Sequence, residues 1–281
     1  MDSQFDKTIT DFMNVTAKSN VAVIVPLYGF WNDIQDNPVN GEVLKITLDR
    51  LYSNVHGLYL IFIAHPQSLS TDTKDPLSVG NVLAAKSKMG NSTFLPIERT
   101  AAYVEYVAKG IEYALNETKA EFIVVFNPWT LIQHGAVDVL VDRCNQGDNA
   151  KVVSGFDIRS VIEPESFDNY HYTIPKEQYD LSFDFLAMPR FVAEMLEIDP
   201  NYKTHMFLQR DLWQQVGQRS FTPITTQRVV IFPFDFPWED YEGRGEFEAD
   251  REYFNGKWRF DPGIYYKDWS GATRTDKEPA R

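Results

Sequence analysis

Cysteine is almost missing from this sequence: Cys144 is the one thiol in 281 residues. That excludes an intrachain disulfide and a cysteine-built zinc site, and it points to a reducing cytoplasm. No apolar run approaches the ~20 residues needed to span a bilayer. Residues 1–7 lack a basic segment followed by an apolar stretch, so they do not read as a signal peptide. The sequons at Asn14, Asn91 and Asn116 therefore carry little weight. Neither a Gly-x-Gly-x-x-Gly turn nor a Walker loop is present, which removes dinucleotide oxidoreductases and P-loop NTPases. Ser154-Gly155 lacks the upstream glycine of a nucleophile elbow. His56, His65, His134, His171 and His205 form no i,i+4 pair and no His-x-His, so no metal ligands are assigned. Positive charge is also short: 27 Lys and Arg stand against 40 Asp and Glu, a formal charge of −13. Such a surface repels phosphate backbones and anionic lipid, which argues against nucleic-acid and membrane-surface partners.

What the sequence does contain is a set of uninterrupted apolar strands, each closed by a polar turn or a proline. Val21-Ala22-Val23-Ile24-Val25 runs into Pro26, which has no N–H to give a ladder. Leu58 to Ala64 runs into His65-Pro66, and Glu121 to Phe126 runs to Pro128. Strands with no polar alternation are buried on both faces, as in parallel sheets. Helical spacing over Asn40–Tyr52, Glu98–Leu115 and Gly135–Arg143 separates them, and Lys151–Gly155 reads as a further strand. The alternation predicts an α/β fold with a mostly parallel central sheet flanked by helices.

Ligands of open α/β sheets bind beyond the carboxyl ends of the strands. The loop Pro26–Trp31, with aromatic Tyr28 and Trp31, is thus a candidate ligand loop, although a purely structural turn fits equally. Beyond Asp157 aromatic, proline and acidic residues become dense and the apolar period weakens. The layout expected is a polar leader over 1–19, one domain over 20–270 with halves 20–156 and 157–270, and a polar tail over 271–281.

Four segments, in order, resemble the family 2 glycosyltransferases, which have the GT-A fold. VAVIVPLY at 21–28 looks like their first nucleotide-binding strand. FIVVFNPWTLIQHGAVDVLVDRC at 122–144 is similar to their central strand, metal-binding turn and following helix. MFLQRDLWQQVG at 206–217 resembles a helix leading to the acceptor site, and FDPGIYYKDW at 260–269 is a weaker match to the late strand. The resemblance implies a GT-A-like (Rossmann-like) sheet and transfer of a sugar from a nucleotide-sugar donor to a carbohydrate or similar acceptor.

The departures fall on the acidic positions. Asn127 and Trp129 stand where the resemblance puts the two residues of Asp-x-Asp. Asn offers one neutral oxygen and Trp none, whereas a cation bridging a diphosphate wants charged oxygens. Mn or Mg is thus possible but not supported by the sequence, and weak or no metal dependence is expected. His65 stands at the base-binding strand end, and Lys267 (or Asp268) near the late metal-binding position, where a lysine would neutralise diphosphate. Arg99, read as near the start of a long helix, is a candidate phosphate ligand; a salt-bridged surface role fits it too. Pro26, Tyr28, His65, Arg99, Asn127, Trp129 and Lys267 are therefore the candidate nucleotide-sugar contacts. Trp129 suits either stacking on a ring or plugging the pocket.

Transfer by direct displacement needs a carboxylate to take the acceptor proton. Glu239 and Asp240 lie between Trp238 and Tyr241, in aromatic surroundings that raise basicity; Glu246 lies on the following helix. An acidic surface loop reads the same way. The alternative function is a catalytically degenerate GT-A-like protein that binds sugar or acts as a scaffold.

Overall fold

Strand β1 (Val21–Pro26) is the centre of the fold, with Val21 to Val25 wholly inaccessible to solvent. The computed structural model describes residues 20–30, 39–52, 57–69, 76–87, 91–146, 150–157, 177–178, 184–234 and 244–259. Trp31, Glu239, Asp240, Lys267, the leader 1–19 and the tail 271–281 lie outside them.

β1 runs parallel to β2 (Leu58–Ala64) on one side and to β4 (Phe122–Phe126) on the other, and β2 runs parallel to β3 (Asn91–Pro96). Between these strands run α1 (Val39–Leu51), α2 (Val79–Ser87) and α3 (Tyr103–Glu117). After β4 come β5 (Thr130–Ile132), α4 (Ala136–Cys144), β6 (Lys151–Asp157), β7 (Glu177–Gln178) and β8 (Phe185–Pro189). The chain continues through α5 (Arg190–Met195), α6 (His205–Gln218), β9 (Thr222–Pro233) and α7 (Arg244–Trp258). The sheet order is β3-β2-β1-β4-β8-β6-β9-β5, with β7 paired on β9. β8 is antiparallel to both β4 and β6, and β6 is parallel to β9. The strands β1, β2, β3, β4, β6 and β9 therefore share one direction, and the central sheet is mostly parallel, as expected.

Two of the differences from the sequence expectation shape the surroundings of the sheet's carboxyl edge. α3 begins at Tyr103 rather than Glu98, because the Glu105 side chain turns back to accept the Ala102 N–H at 3.0 Å and starts the helix there. At the other end the Arg190 guanidinium, carried on α5, donates to the carbonyls of Thr118 (3.1 Å) and Ala120 (3.3 Å). It also reaches the Leu115 carbonyl in the last turn of α3. β8 is the second difference: Phe185–Pro189 is buried throughout and inserts between β4 and β6.

A smaller aromatic cluster joins α6 to α7, built from Tyr202, Phe207, Phe247 and Phe254. Charge locks the same contact. Lys257 Nζ lies 2.7 Å from both Asp199 and Asp211, and Asp211 also accepts from Tyr202 (3.0 Å), Trp258 (2.8 Å) and Gln215 (2.7 Å). Asp211 is wholly buried, so its charge is tolerable only with this full set of donors.

Candidate functional site

The carboxyl ends of β1, β2 and β4 lie side by side because those three strands are adjacent and parallel. Pro26 ends β1 opposite Ile63, and the next residue, Leu27, donates to the Ile63 carbonyl at 2.9 Å. Tyr28 then turns inward and sits edge-on to Tyr103 (5.8 Å) and Tyr106 (5.5 Å) of α3. His65 follows β2 and is partly exposed at the rim of the same edge. Arg99 is exposed in the turn ahead of α3, four residues before that helix begins, so the expected placement at the helix N-terminus does not hold.

Asn127 and Trp129 leave β4 at this edge and face inward. Asn127 is nearly inaccessible, and its side-chain oxygen accepts the Trp129 backbone N–H at 3.1 Å. Its amide nitrogen donates to Asp184 Oδ1 at 2.9 Å, and its backbone N–H donates to the Asp184 carbonyl at 2.8 Å. Trp129 is 7% exposed, stacks on Phe30 at 4.6 Å and donates from Nε1 to the Tyr28 carbonyl at 3.3 Å. The indole is thus held by packing and a hydrogen bond within the fold. Charged oxygens are what a diphosphate-bridging cation needs. Here one neutral oxygen is committed to a backbone N–H and the other position is an indole. Among the described residues no three His, Cys, Asp or Glu side chains gather into a cation site. These residues do not fit a divalent metal.

Sequence reasoning passed over two groups that the fold brings here. Asp184, the residue before β8, is held beside Asn127 by the bonds above. His205 is the first residue of α6, 8% exposed, with its ring edge-on to Tyr103 at 6.3 Å. Burial pushes the His205 imidazole down to about 4, with the Asp184 charge acting in the opposite sense. Its position is set from α7: the Asp250 carboxylate accepts the Thr204 N–H (2.7 Å), the Thr204 hydroxyl (2.8 Å) and the Lys203 N–H (2.9 Å). Burial raises the Asp250 carboxyl, hydrogen bonds from Thr204 and Lys203 oppose the shift, and nearby Glu246 adds to it. Glu246 itself is exposed in the first turn of α7. The helix-start pattern Thr204-His205 before an apolar run was the available signal for α6. Nothing in the sequence tied its first residue to Tyr103.

A mostly parallel sheet with one antiparallel insertion and an aromatic-lined carboxyl edge is the architecture of a GT-A-like glycosyltransferase fold. Solved structures share it. The mannosyltransferase PcManGT from Pyrobaculum calidifontis, in complex with GDP-Man and Mn2+, matches at 15% identity and a TM-score of 0.54, covering 91% of this chain and 73% of that one. S. aureus TarS 1-349 matches at 10% identity and TM-score 0.55, covering 86% of this chain and 66% of that one. GalNAc-T7 with UDP, GalNAc and Mn2+ matches at 11% and 0.51, covering 77% and 44%. This chain thus spans less than two thirds of the TarS and GalNAc-T7 chains. No family model matches the sequence, and no curated protein matches it.

Proposed function

We propose that this protein is a family 2-like glycosyltransferase that moves a sugar from a nucleotide-sugar donor to a carbohydrate or similar acceptor, with weak or no metal dependence. The observation that carries the reading is the GT-A-like sheet with its carboxyl edge formed by Pro26–Phe30, His65, Asn127–Trp129 and Asp184. Pro26, Tyr28, His65 and Asn127 are the proposed donor contacts, with Arg99 and Lys267 as the proposed phosphate contacts. Glu239, Asp240 and Glu246 are the carboxylates that the sequence offers as a base. One domain over 20–270 carries the activity in this reading. The cytoplasm is its proposed location, supported by the single cysteine, whose buried thiol is pushed up to about 12 by desolvation. Among the described residues no helix is long and apolar enough to cross a membrane.

A second reading is favoured by two features. The Trp129–Phe30 stack and the spent oxygen of Asn127 suit a protein that keeps the sheet as a sugar-binding or scaffolding module without transfer. Thermal unfolding with UDP-, GDP-, dTDP- and CMP-sugars, each with and without Mn2+, tests both. A ligand held only by the folded state adds about 2.7 kcal/mol at a hundredfold excess over Kd. Stabilisation by one nucleotide class without metal, followed by release of nucleoside diphosphate, supports transfer. Stabilisation without release supports the binding module, and no shift with any donor sinks the transferase reading.

A further inference from the structure

Bonds from α7 converge on one short stretch of the chain. Among the described residues its Phe247 and Phe254 pack with Tyr202 and Phe207 in a cluster of their own, apart from the main core. Polar bonds from the same helix run to residues 199–211. Lys257 reaches Asp199 and Asp211, the Tyr253 hydroxyl donates to Asp199 (2.9 Å), and the Trp258 indole N–H donates to Asp211 (2.8 Å). Asp250 adds a different kind of tie, because its carboxylate accepts the backbone N–H groups of Lys203 (2.9 Å) and Thr204 (2.7 Å) just before α6. The start of a helix leaves such donors without an intrahelical partner. Thr204 stands at the N-cap of α6 but does not cap it with its own side chain, and its hydroxyl also goes to Asp250, at 2.8 Å. The cap of α6 is therefore supplied by another helix, 46 residues further along the chain.

We propose that α7 is a detachable clamp: it docks and undocks as one unit while the central sheet stays folded, and its docking holds the start of α6 in place. A 15-residue helix with glycines at 245 and 256 is marginal by itself in water, so α7 is helical only while it is docked. What docks it is a cluster of four buried aromatic side chains and a lysine that keeps 27% of its side chain in solvent. Such a contact yields before a sheet whose central strand is wholly inaccessible from Val21 to Val25. The consequence falls on the carboxyl edge. Thr204 precedes His205, whose ring meets Tyr103, and Tyr103 meets Tyr28 of the loop after β1. Undocking removes the Asp250 cap from the α6 start, and with it the brace behind these rings. The clamp acts on that edge whether or not the protein transfers a sugar.

Residue-resolved hydrogen exchange of the full chain in sub-denaturing urea tests this. The backbone N–H groups of Lys203 and Thr204 and the indole N–H of Trp258 should exchange together with the amides of α7. Their common opening should depend less steeply on urea than that of β1, because it exposes less surface. Lys257→Met should lower protection at Lys203 and Thr204 by the same factor as in α7, at least about tenfold. Gly110→Ala strains the contact of α3 with the sheet and should lower protection in β1 by about fivefold or more. It should leave α7 within about twofold, since the sheet stays folded when the clamp opens. Equal losses in α7 and β1 would mean that α7 is released only when the whole molecule unfolds, and would overturn the clamp. So would exchange at Lys203 and Thr204 that ignores Lys257→Met, because α7 would then not hold the α6 start. If Gly110→Ala does not fold, the wild-type urea series decides: two slopes support the clamp, and one slope shared by α7 and β1 overturns it.

Discussion

Asn127 illustrates how a single side chain can be committed in two directions. Its oxygen holds the turn to Trp129, and its nitrogen faces Asp184 Oδ1 at 2.9 Å. Asn127→Asp, which looks like a restoration of the acidic motif, therefore sets two carboxylates against each other. We expect it to cost about 1–3 kcal/mol, the scale of a lost hydrogen bond at a buried charge, and to create no Mn2+ stabilisation in thermal unfolding. A gain in Tm with Mn2+ would show that the turn can host a cation. Trp129→Ala removes a stacked indole from a buried setting and should cost about 3–5 kcal/mol in urea unfolding. A cost under 1 kcal/mol would mean that the indole is poorly packed and free to serve a ligand.

Between elements, α3 packs closely over the sheet. A Cβ added at Gly110 would lie 2.3 Å from Ile24 Cγ2 and 2.9 Å from Ile63 Cδ1. Gly110→Ala should therefore destabilise by about 1–3 kcal/mol despite alanine's higher helix propensity. Gly217, in the last turn of α6, meets nothing within 4 Å of its built Cβ. Gly217→Ala is accordingly expected to be neutral or to gain up to about 1 kcal/mol. Equal effects of the two in denaturant titrations would contradict the packing described. The α6–α7 contact is held differently, by Lys257 between Asp199 and Asp211. Lys257→Met keeps the stem but leaves the buried Asp211 without its cation, with an expected cost of about 3–5 kcal/mol.

At the scale of the whole molecule, acid sensitivity follows from groups that fold into dry places. The folded chain holds His205 near 4, against about 6.5 when unfolded. As pH falls from 6.5 to about 4 the unfolded chain takes up the proton first, so stability declines across that window by about 3 kcal/mol at most. Burial would raise Asp199, but hydrogen bonds from Lys257, Asn201 and Tyr253 outweigh it and hold this carboxyl below its ordinary range. Its contribution is present above that range and is lost only as pH falls through the lowered folded value. Asp250 is raised, chiefly by burial, and works against the decline just above the ordinary carboxylate range. Urea unfolding at pH 7.5, 6.0 and 5.0 should show the decline, and His205→Gln should flatten it; an unchanged slope in the variant would place its origin elsewhere. How much of the molecule was legible beforehand follows the range of the forces involved. The buried strands β1, β2, β4 and β6 could be read from sequence because an uninterrupted apolar run has few stable places except inside a sheet. That the carboxyl ends of β1, β2 and β4 share one edge followed from the same runs. α2 and β3 went unread because each is short and only partly apolar. The insertion of β8 between β4 and β6, the burial of Trp129 on Phe30, and the bonding of Asn127 to Asp184 were decided by tertiary structure alone. They join residues far apart in the chain, through bonds and ring contacts whose partners no local pattern names.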